Sequence, residues 1–352
     1  MIDSIRPGAA PAGAARLSVA PMMDWTDRHC RYLHRLLAPR TLLYTEMVTT
    51  GAVLHGGPGG VGHRFLEHDP LEHPLVLQLG GSDPRELAAA VAVAHLHRFT
   101  GVNLNVGCPS DRVKSGRFGA CLMAEPDLVA ACVRAMIQAS PLPVTVKTRI
   151  GIDHTPDEFL DRFVDRVAEA GVTSFVVHAR QAWLDGLSPK ENREVPPLRY
   201  DRVHALARRR PDLAITINGG IRTPGAARAQ LDHVAGVMVG REAYQNPMSL
   251  PAFERAVFGP DGGAGAPMDE PMDDRAVVER MAVYARAQAR RGVPLRAIAR
   301  HMLGLFAGRP GARAWRRRLS EGMHDPTADA DLLRAAADLV DRASRAPAAT
   351  FC

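Results

Sequence analysis

Residues 105–110 read NVGCPS and close an apolar run, GVNLNV. Cys108 follows Gly107 and precedes Pro109, with Asn105 three residues before it. A thiol in such a turn is not placed like a core side chain. A second signal comes from lysine usage. Of 44 basic residues only Lys114, Lys147 and Lys190 are lysines. A compact ammonium of adjustable pKa differs from a planar, always-charged guanidinium, so a lysine kept in an arginine-rich chain marks a position that needs one. Lys147 lies in VTVKTR, where strand alternation puts Val144 and Val146 on one face and Thr145 and Lys147 on the other. Such a lysine forms a Schiff base or holds a cofactor anion. His178 in SFVVHAR reads either as a satisfied core histidine or as a donor to a cofactor ring. Gln78 offers a donor and an acceptor to a flat heterocycle, and Met22 and Met23 offer polarizable apolar packing.

Eight short, β-rich runs position these residues: LSVAPM (17–22), TLLYTEM (41–47), PLVLQLG (74–80), GVNLNVG (101–107), PVTVKTRIG (143–151), SFVVHAR (174–180), AITINGG (214–220) and GVMVGR (236–241). Near-continuous apolar runs suit parallel strands covered on both faces. Helical spacing fills several intervals, over 84–99, 125–140 and 156–171. The expected fold is an α/β TIM (β/α)8 barrel, which typically takes about 250 residues. A doubly wound sheet is the alternative, but no G-x-G-x-x-G follows the first run. In a TIM barrel the chemistry sits at the C-terminal strand ends. There the runs deliver Pro21, Met22, Met23 and Asp24, then Glu46 and Met47, Gln78, Asn103 with Asn105 and Cys108, Lys147 and Arg149, and His178 with Arg180. The last two deliver Asn218, Gly219 and Gly220, then Gly240 and Arg241. Glycine-rich turns after strands seven and eight form the usual phosphate site of the barrel, and Arg241 adds a charge-assisted donor. The set favours a flat, phosphorylated cofactor, best matched by FMN. PLP, which wants a Schiff-base lysine, is not separated from it by spacing alone.

The 352 residues carry a net charge of +6, and the positive charge is concentrated. Residues 275–320 hold twelve arginines and one acid, Glu279. They read either as a solvated helical surface or as a phosphate-binding face. The five cysteines form neither a C-x-x-C pair nor, with histidines, a zinc pattern. Their odd, scattered count argues against a disulfide framework and fits a reducing compartment. No stretch reaches the ~18 consecutive apolar residues of a membrane span. Residues 1–16 read as a flexible leader without the apolar core of a signal peptide, 17–258 as the barrel, and 259–274, rich in Pro, Gly and Asp, as a linker. Residues 275–352 read as a helical domain, with helical patterns over 275–292, 294–308 and 329–346.

Longer motifs carry a resemblance. APMMDWTD, YTEMVTTGA, QLGG, NLNVGCPSDRVKSGRFGACLM, VTVKTRIGID, HARQAWLDGLSPKENREVPPL, NGGI and VGREAYQNP are similar to those of tRNA-dihydrouridine synthases. The HAR…GLSPKENR segment and RHMLGLFAGRPGARAWRR resemble the A subfamily. The resemblance spans roughly residues 17–322. It implies a cytoplasmic flavoprotein oxidoreductase: an FMN-binding TIM barrel followed by a helical tRNA-binding domain. It further implies NADPH as reductant and reduction of D-loop uridines, positions 20 and 20a, to 5,6-dihydrouridine. The expected partner is tRNA, with no membrane and no metal, for a monomeric enzyme.

Carried over motif by motif, Pro21, Met22, Met23, Gln78, Lys147 and His178 would contact the flavin. Asn218, Gly219, Gly220, Gly240 and Arg241 would hold its phosphate. Cys108 would be the general acid, and Asn105 would seat the uracil. Lys114, Arg180, Lys190, Arg300, Arg309, Arg313 and Arg316 would meet tRNA. The chemistry wants a hydride at C6 of the uracil and a proton at C5 from the opposite face. An ordinary thiol, pKa about 8.5, is mostly protonated at neutral pH and so can donate. The base must leave its stack to be reached. Three other classes make different demands on the same residues. A Schiff-base aldolase using Lys147 would be colourless. A small-molecule flavin reductase would not need the arginine-rich helices. A non-enzymatic RNA-binding module would leave the eight furnished strand ends unexplained.

Overall fold

The computed structural model describes residues 15–55, 63–110, 116–259 and 272–345. Lys114, Cys352, the leader up to residue 14 and most of the 259–274 stretch lie outside them. The eight expected strands form, somewhat shorter than their apolar runs. They are β1 (Leu17–Val19), β2 (Leu43–Thr49), β3 (Leu75–Gly80), β4 (Gly101–Val106), β5 (Val144–Arg149), β6 (Ser174–His178), β7 (Ala214–Asn218) and β8 (Gly236–Val239). β2 alone runs past its expected end, to Thr49. Every strand pairing is parallel, in the order β1-β8-β7-β6-β5-β4-β3-β2. A bridge between Ser18 and Leu42 closes the ring, so the sheet is a barrel rather than an open doubly wound sheet.

Alternation decides which side chain serves which layer. Val144 and Val146 face the surrounding helices and join the main core. Thr145 and Lys147 point into the barrel, as expected from the sequence. The lower barrel is plugged by a small apolar cluster of Tyr44, Val76, Val176 and Met238. Helices Pro84–Leu96, Pro126–Ala139, Glu158–Ala168 and Tyr200–Arg209 cover the outside. The first opens on two local start signals. Pro84 opens it, and the Asp83 carboxylate accepts the N–H groups of Arg85 and Glu86 at 2.7 and 3.1 Å.

Beyond the barrel, helix Asp274–Ala289 packs on helix Arg28–Leu37. Tyr32 stacks on Tyr284 at 4.0 Å, and the His29 ring lies 2.8 Å from the Tyr284 hydroxyl. The single helix expected over 294–308 is short, Arg296–Ala299, followed by a tight turn over Arg300–Met302. Gly304 sets the limit: a Cβ there would lie 2.2 Å from the Gln245 carbonyl oxygen, so the chain meets the barrel backbone at that point. A helix that periodicity does not announce, Ala312–Gly322, starts after Gly311, whose φ of 84° only glycine adopts freely. Its Trp315 is buried and donates its indole N–H to the Met302 carbonyl at 2.9 Å. Among the described residues no helix is long and apolar enough to cross a membrane, and no cluster of three potential metal ligands occurs.

Candidate active site

A cavity of about 570 Å³ opens at the C-terminal ends of the strands. All eight strand ends reach it: Pro21, Met22 and Met23, then Met47, Gln78, Asn105 and Cys108, Lys147, His178, Asn218 to Gly220, and Gly240 with Arg241. The volume lies in the usual range for small-molecule and cofactor sites. Every flavin, phosphate and proton-donor candidate of the sequence is therefore assembled in one place.

Cys108 sits on a turn that side chains hold from both ends. The Asn105 side-chain oxygen accepts the Gly107 and Cys108 N–H groups at 3.1 and 3.0 Å. The Cys108 carbonyl accepts the Ala120 N–H at 2.9 Å. The Gly107 carbonyl accepts Arg149 Nε at 2.9 Å. A Cβ on Gly107 would come within 3.3 Å of the Thr148 backbone, so this turn lies directly on β5. Cys108 itself is partly exposed to the cavity, with its sulfur 3.5 Å from the Ser110 hydroxyl.

Arg149 has the largest structural part, one that its place in the sequence does not announce. Its guanidinium also donates to the carbonyls of Gln181 and Asn192, both at 2.9 Å. It thus clamps the Cys108 turn to the loop after β6 although it is buried and has no carboxylate partner among the described residues. Burial pushes its pKa down to about 10, which leaves it charged at neutral pH.

The side chains of Lys147 and His178 have no hydrogen-bond partner among the described residues, and both residues line the cavity. The Lys147 pKa is pulled down to about 7, first by burial and then by the Arg149 charge. Burial likewise holds His178 well below its ordinary value, with Arg149, Lys147, Arg180 and Arg193 adding to the effect. A neutral imidazole keeps one donor and one acceptor. Gly219 (φ 115°) lets the turn after β7 lie against this ring, since a Cβ there would be 2.7 Å from His178 Cδ2. Tyr200 donates to the Gly219 carbonyl at 2.6 Å and fixes the turn. Arg241 reaches the cavity beside Gly240 and pairs with Glu194 at 2.5 Å. Arg222, on the turn after β7, and Arg193, on the loop after β6, also line the cavity. A neutral ring donor, a lysine that titrates near neutrality, an apolar Met22–Met23 wall and cationic, glycine-bearing turns fit a flat phosphorylated heterocycle. They fit a permanent Schiff base less directly, because nothing but Lys147 itself points that way.

Several side chains are committed elsewhere. Asn105 donates its amide to Gln78 Oε1 at 2.9 Å, so both ends of its side chain serve the protein. Asn218 donates to the Met238 carbonyl at 2.9 Å, tying β7 to β8. Arg180 donates to the carbonyls of Glu194 and Pro196 and braces that loop. Arg300 donates to the Asp24 carbonyl at 2.8 Å and to the Asp27 carboxylate at 2.9 Å, across the contact between barrel and helices. Arg309 pairs with Asp274. By contrast Lys190, Arg313 and Arg316 are exposed, as are Arg317 and Arg318, and none has an ion-pair partner among the described residues. Trp25, stacked on Tyr244 at 4.3 Å, also lines the cavity, and its spacing in the sequence gives no sign of it.

The model of the dihydrouridine synthase family matches residues 18–341. The chain is 54% identical over 327 residues to the tRNA-dihydrouridine(20/20a) synthase of Yersinia pestis, covering 92% of this chain and 91% of that protein. It is 54% identical over 329 residues to that of Escherichia coli K12, covering 93% and 92%. With the enzyme of the same name from Vibrio cholerae it shares 52% over 326 residues, covering 92% and 96%.

Proposed function

The chain belongs to the dihydrouridine synthase family, and from that premise we propose that it reduces uridines 20 and 20a in the D-loop of tRNA to 5,6-dihydrouridine. The observation that carries the reading is the assembly of one cavity from all eight strand ends, lined by Cys108 and by two side chains, Lys147 and His178, that have no hydrogen-bond partner among the described residues. FMN fits this donor set, and when bound it supplies the hydride, with NADPH as the source of electrons.

The residues of the chain do the rest. Lys147 and the neutral His178 bind and orient the ring, with Met22, Met23 and Pro21 packing against it. Gln78 presents its remaining amide donor and acceptor capacity to the ring's polar edge. Gly219, Gly220, Gly240 and Arg241 hold the phosphate, and the Asn218 side chain keeps β7 and β8 in register beneath it. Cys108 donates the proton to C5 of the uracil. A turn fixed at the Gly107 and Cys108 N–H groups and at both carbonyls keeps that thiol in place when the base arrives.

The tRNA is held by charge. Arg313, Arg316, Arg317 and Arg318 are exposed along helix Ala312–Gly322, and Lys190 is exposed on the loop after β6. Phosphate contacts of this kind supply affinity and orientation rather than sequence reading. The segment up to 258 acts as the catalytic barrel, and the helices beyond 274 as the tRNA-binding unit of a monomeric, cytoplasmic enzyme. The test is a dihydrouridine map of tRNA from a strain deleted for this gene, with and without the protein restored. Restored dihydrouridine at positions 20 and 20a, together with a yellow FMN spectrum of the purified protein, is the expected result. A colourless protein trapped by borohydride on Lys147 would replace this reading with the aldolase one.

A further inference from the structure

The interior of a TIM barrel is ordinarily filled with branched apolar side chains. Here one interior layer is polar. β4 places Asn103 and Asn105 on the same face, two residues apart, with Asn103 in register with Gln78 of β3 and Thr145 of β5. The four side chains form a continuous ladder. Asn105 Nδ2 donates to Gln78 Oε1 at 2.9 Å, Gln78 Nε2 to Asn103 Oδ1 at 2.8 Å, and Asn103 Nδ2 to Thr145 Oγ1 at 2.9 Å.

Both ends of the ladder are anchored in backbone, and this fixes its direction. The Thr145 hydroxyl donates to the Val102 carbonyl at 3.3 Å, so it receives from Asn103. The Asn105 oxygen receives two backbone N–H groups, so its nitrogen faces Gln78. A buried amide costs free energy unless it is bonded, so a polar layer in place of Val, Ile or Leu is not the stable choice for its own sake. Asn103 is 0% exposed and does not line the cavity, so it touches no ligand.

We propose that Asn103 is a positioning residue: it sets the donor and acceptor direction of Gln78 and, through Gln78, the Asn105 oxygen that pins the Cys108 turn. The inference rests on the reading of Cys108 as the proton donor. With Asn103 in place, Gln78 has one amide hydrogen and one oxygen lone pair left for a ligand, in an orientation settled before the ligand binds. Without it the Gln78 amide is free to turn over, and Asn105 loses the acceptor that holds its nitrogen.

Asn103→Asp and Asn103→Leu separate positioning from space-filling. Asp keeps an acceptor for Gln78 Nε2 in either protonation state. Leu keeps the volume and removes the bond. Thr145→Val removes the far anchor without a change of volume and serves if the Leu variant does not fold. Each protein, as purified with its flavin, is followed by kcat and KM for tRNA and by the rate of iodoacetamide alkylation of the Cys108 peptide, read by mass spectrometry without tRNA. The expected result for Leu is a kcat lower by about tenfold or more, the equivalent of one to two lost hydrogen bonds. Its KM for tRNA stays near the original, and its Cys108 alkylation rate changes. Asp should retain more activity than Leu although it melts no higher, because a buried carboxyl is the worse space-filler. Thr145→Val should show the Leu pattern more weakly. Activity that follows melting temperature, with Leu above Asp and Cys108 alkylation unchanged, would overturn the proposal. A parent protein that forms no dihydrouridine would overturn the functional reading instead, and the alkylation rates would still decide the role of Asn103.

Discussion

The side-chain oxygen of Asn105 lies 3.0 Å from the backbone nitrogen of Cys108 and 3.1 Å from that of Gly107, and accepts a hydrogen bond from both. One carboxamide therefore fixes the turn that carries the thiol. Asn105→Ala leaves two partly buried N–H groups without an acceptor. Dihydrouridine formation should fall about 10- to 100-fold, with flavin content nearly unchanged, since one or two such bonds are worth about 1 kcal/mol or slightly more each. Asn105→Asp keeps the acceptor and should fall less. Equal losses in the two variants would mean that Asn105 acts by its amide nitrogen on the substrate rather than by its oxygen on the turn.

Arg149 binds three backbone carbonyls, those of Gly107, Gln181 and Asn192. Arg149→Met should lower stability by about 2–4 kcal/mol, the range for a broken buried network. It should also raise the Lys147 pKa from about 7, because the Arg149 charge is the largest influence on it after burial. Arg149→Lys should rescue little, since an ammonium cannot reproduce the forked geometry. Thermal melts and a pH titration of the flavin-free protein check the two effects separately.

Much of this site is legible in the sequence, and the reasons are physical. Buried parallel strands leave continuous apolar runs, so the strand ends can be counted, and Gln78, Cys108, Lys147 and His178 fall in one cavity as expected. A spacing does not say which carbonyls a guanidinium finds. Arg149 stands at a strand end with no visible task, and Arg300 and Arg309 read with the tRNA-facing arginines although they pair with Asp27 and Asp274. Helix Ala312–Gly322 is hidden because Pro310 and Gly311 read as a stop, whereas here Gly311 precedes a new start. Asn103 is visible at a strand end, but its part depends on partners from β3 and β5 that periodicity does not identify.

The two kinds of arginine should behave differently. Joint replacement of Arg316, Arg317 and Arg318 by Ala should weaken tRNA binding and reduce the slope of log K against log salt by about 2–3, close to one for each phosphate no longer neutralised. Arg300→Ala should leave that slope nearly unchanged. It should instead lower the melting temperature, because it removes the strut from the helical unit to Asp24 and Asp27. Filter binding over a salt series, with melts alongside, distinguishes them.

Acid should loosen the packing around helix Arg28–Leu37, where His29 meets Tyr284 and His34 meets the Ala243 carbonyl. Burial holds His34 near a pKa of about 4, and burial does the same for His29, against an ordinary 6.5. Between those values the unfolded chain binds protons that the folded one does not, so stability falls as pH drops from about 6.5 to 4 and levels below. Each histidine contributes up to about 3 kcal/mol to that loss. His34→Gln should flatten the pH dependence of the melting temperature in this window. An unchanged profile would mean that His34 binds its proton equally well in the folded and the unfolded chain.

On the proposed mechanism Cys108 delivers the proton while the other cavity residues hold the flavin. This assignment is tested most directly by single-turnover reduction of dihydrouridine-free tRNA by Cys108→Ala, purified with its flavin. The expected result is a yellow protein with a normal visible spectrum and unchanged tRNA affinity, but dihydrouridine formation slower by about 100-fold or more, the usual scale for a lost general acid. Formation at the parent rate by that yellow variant would contradict it.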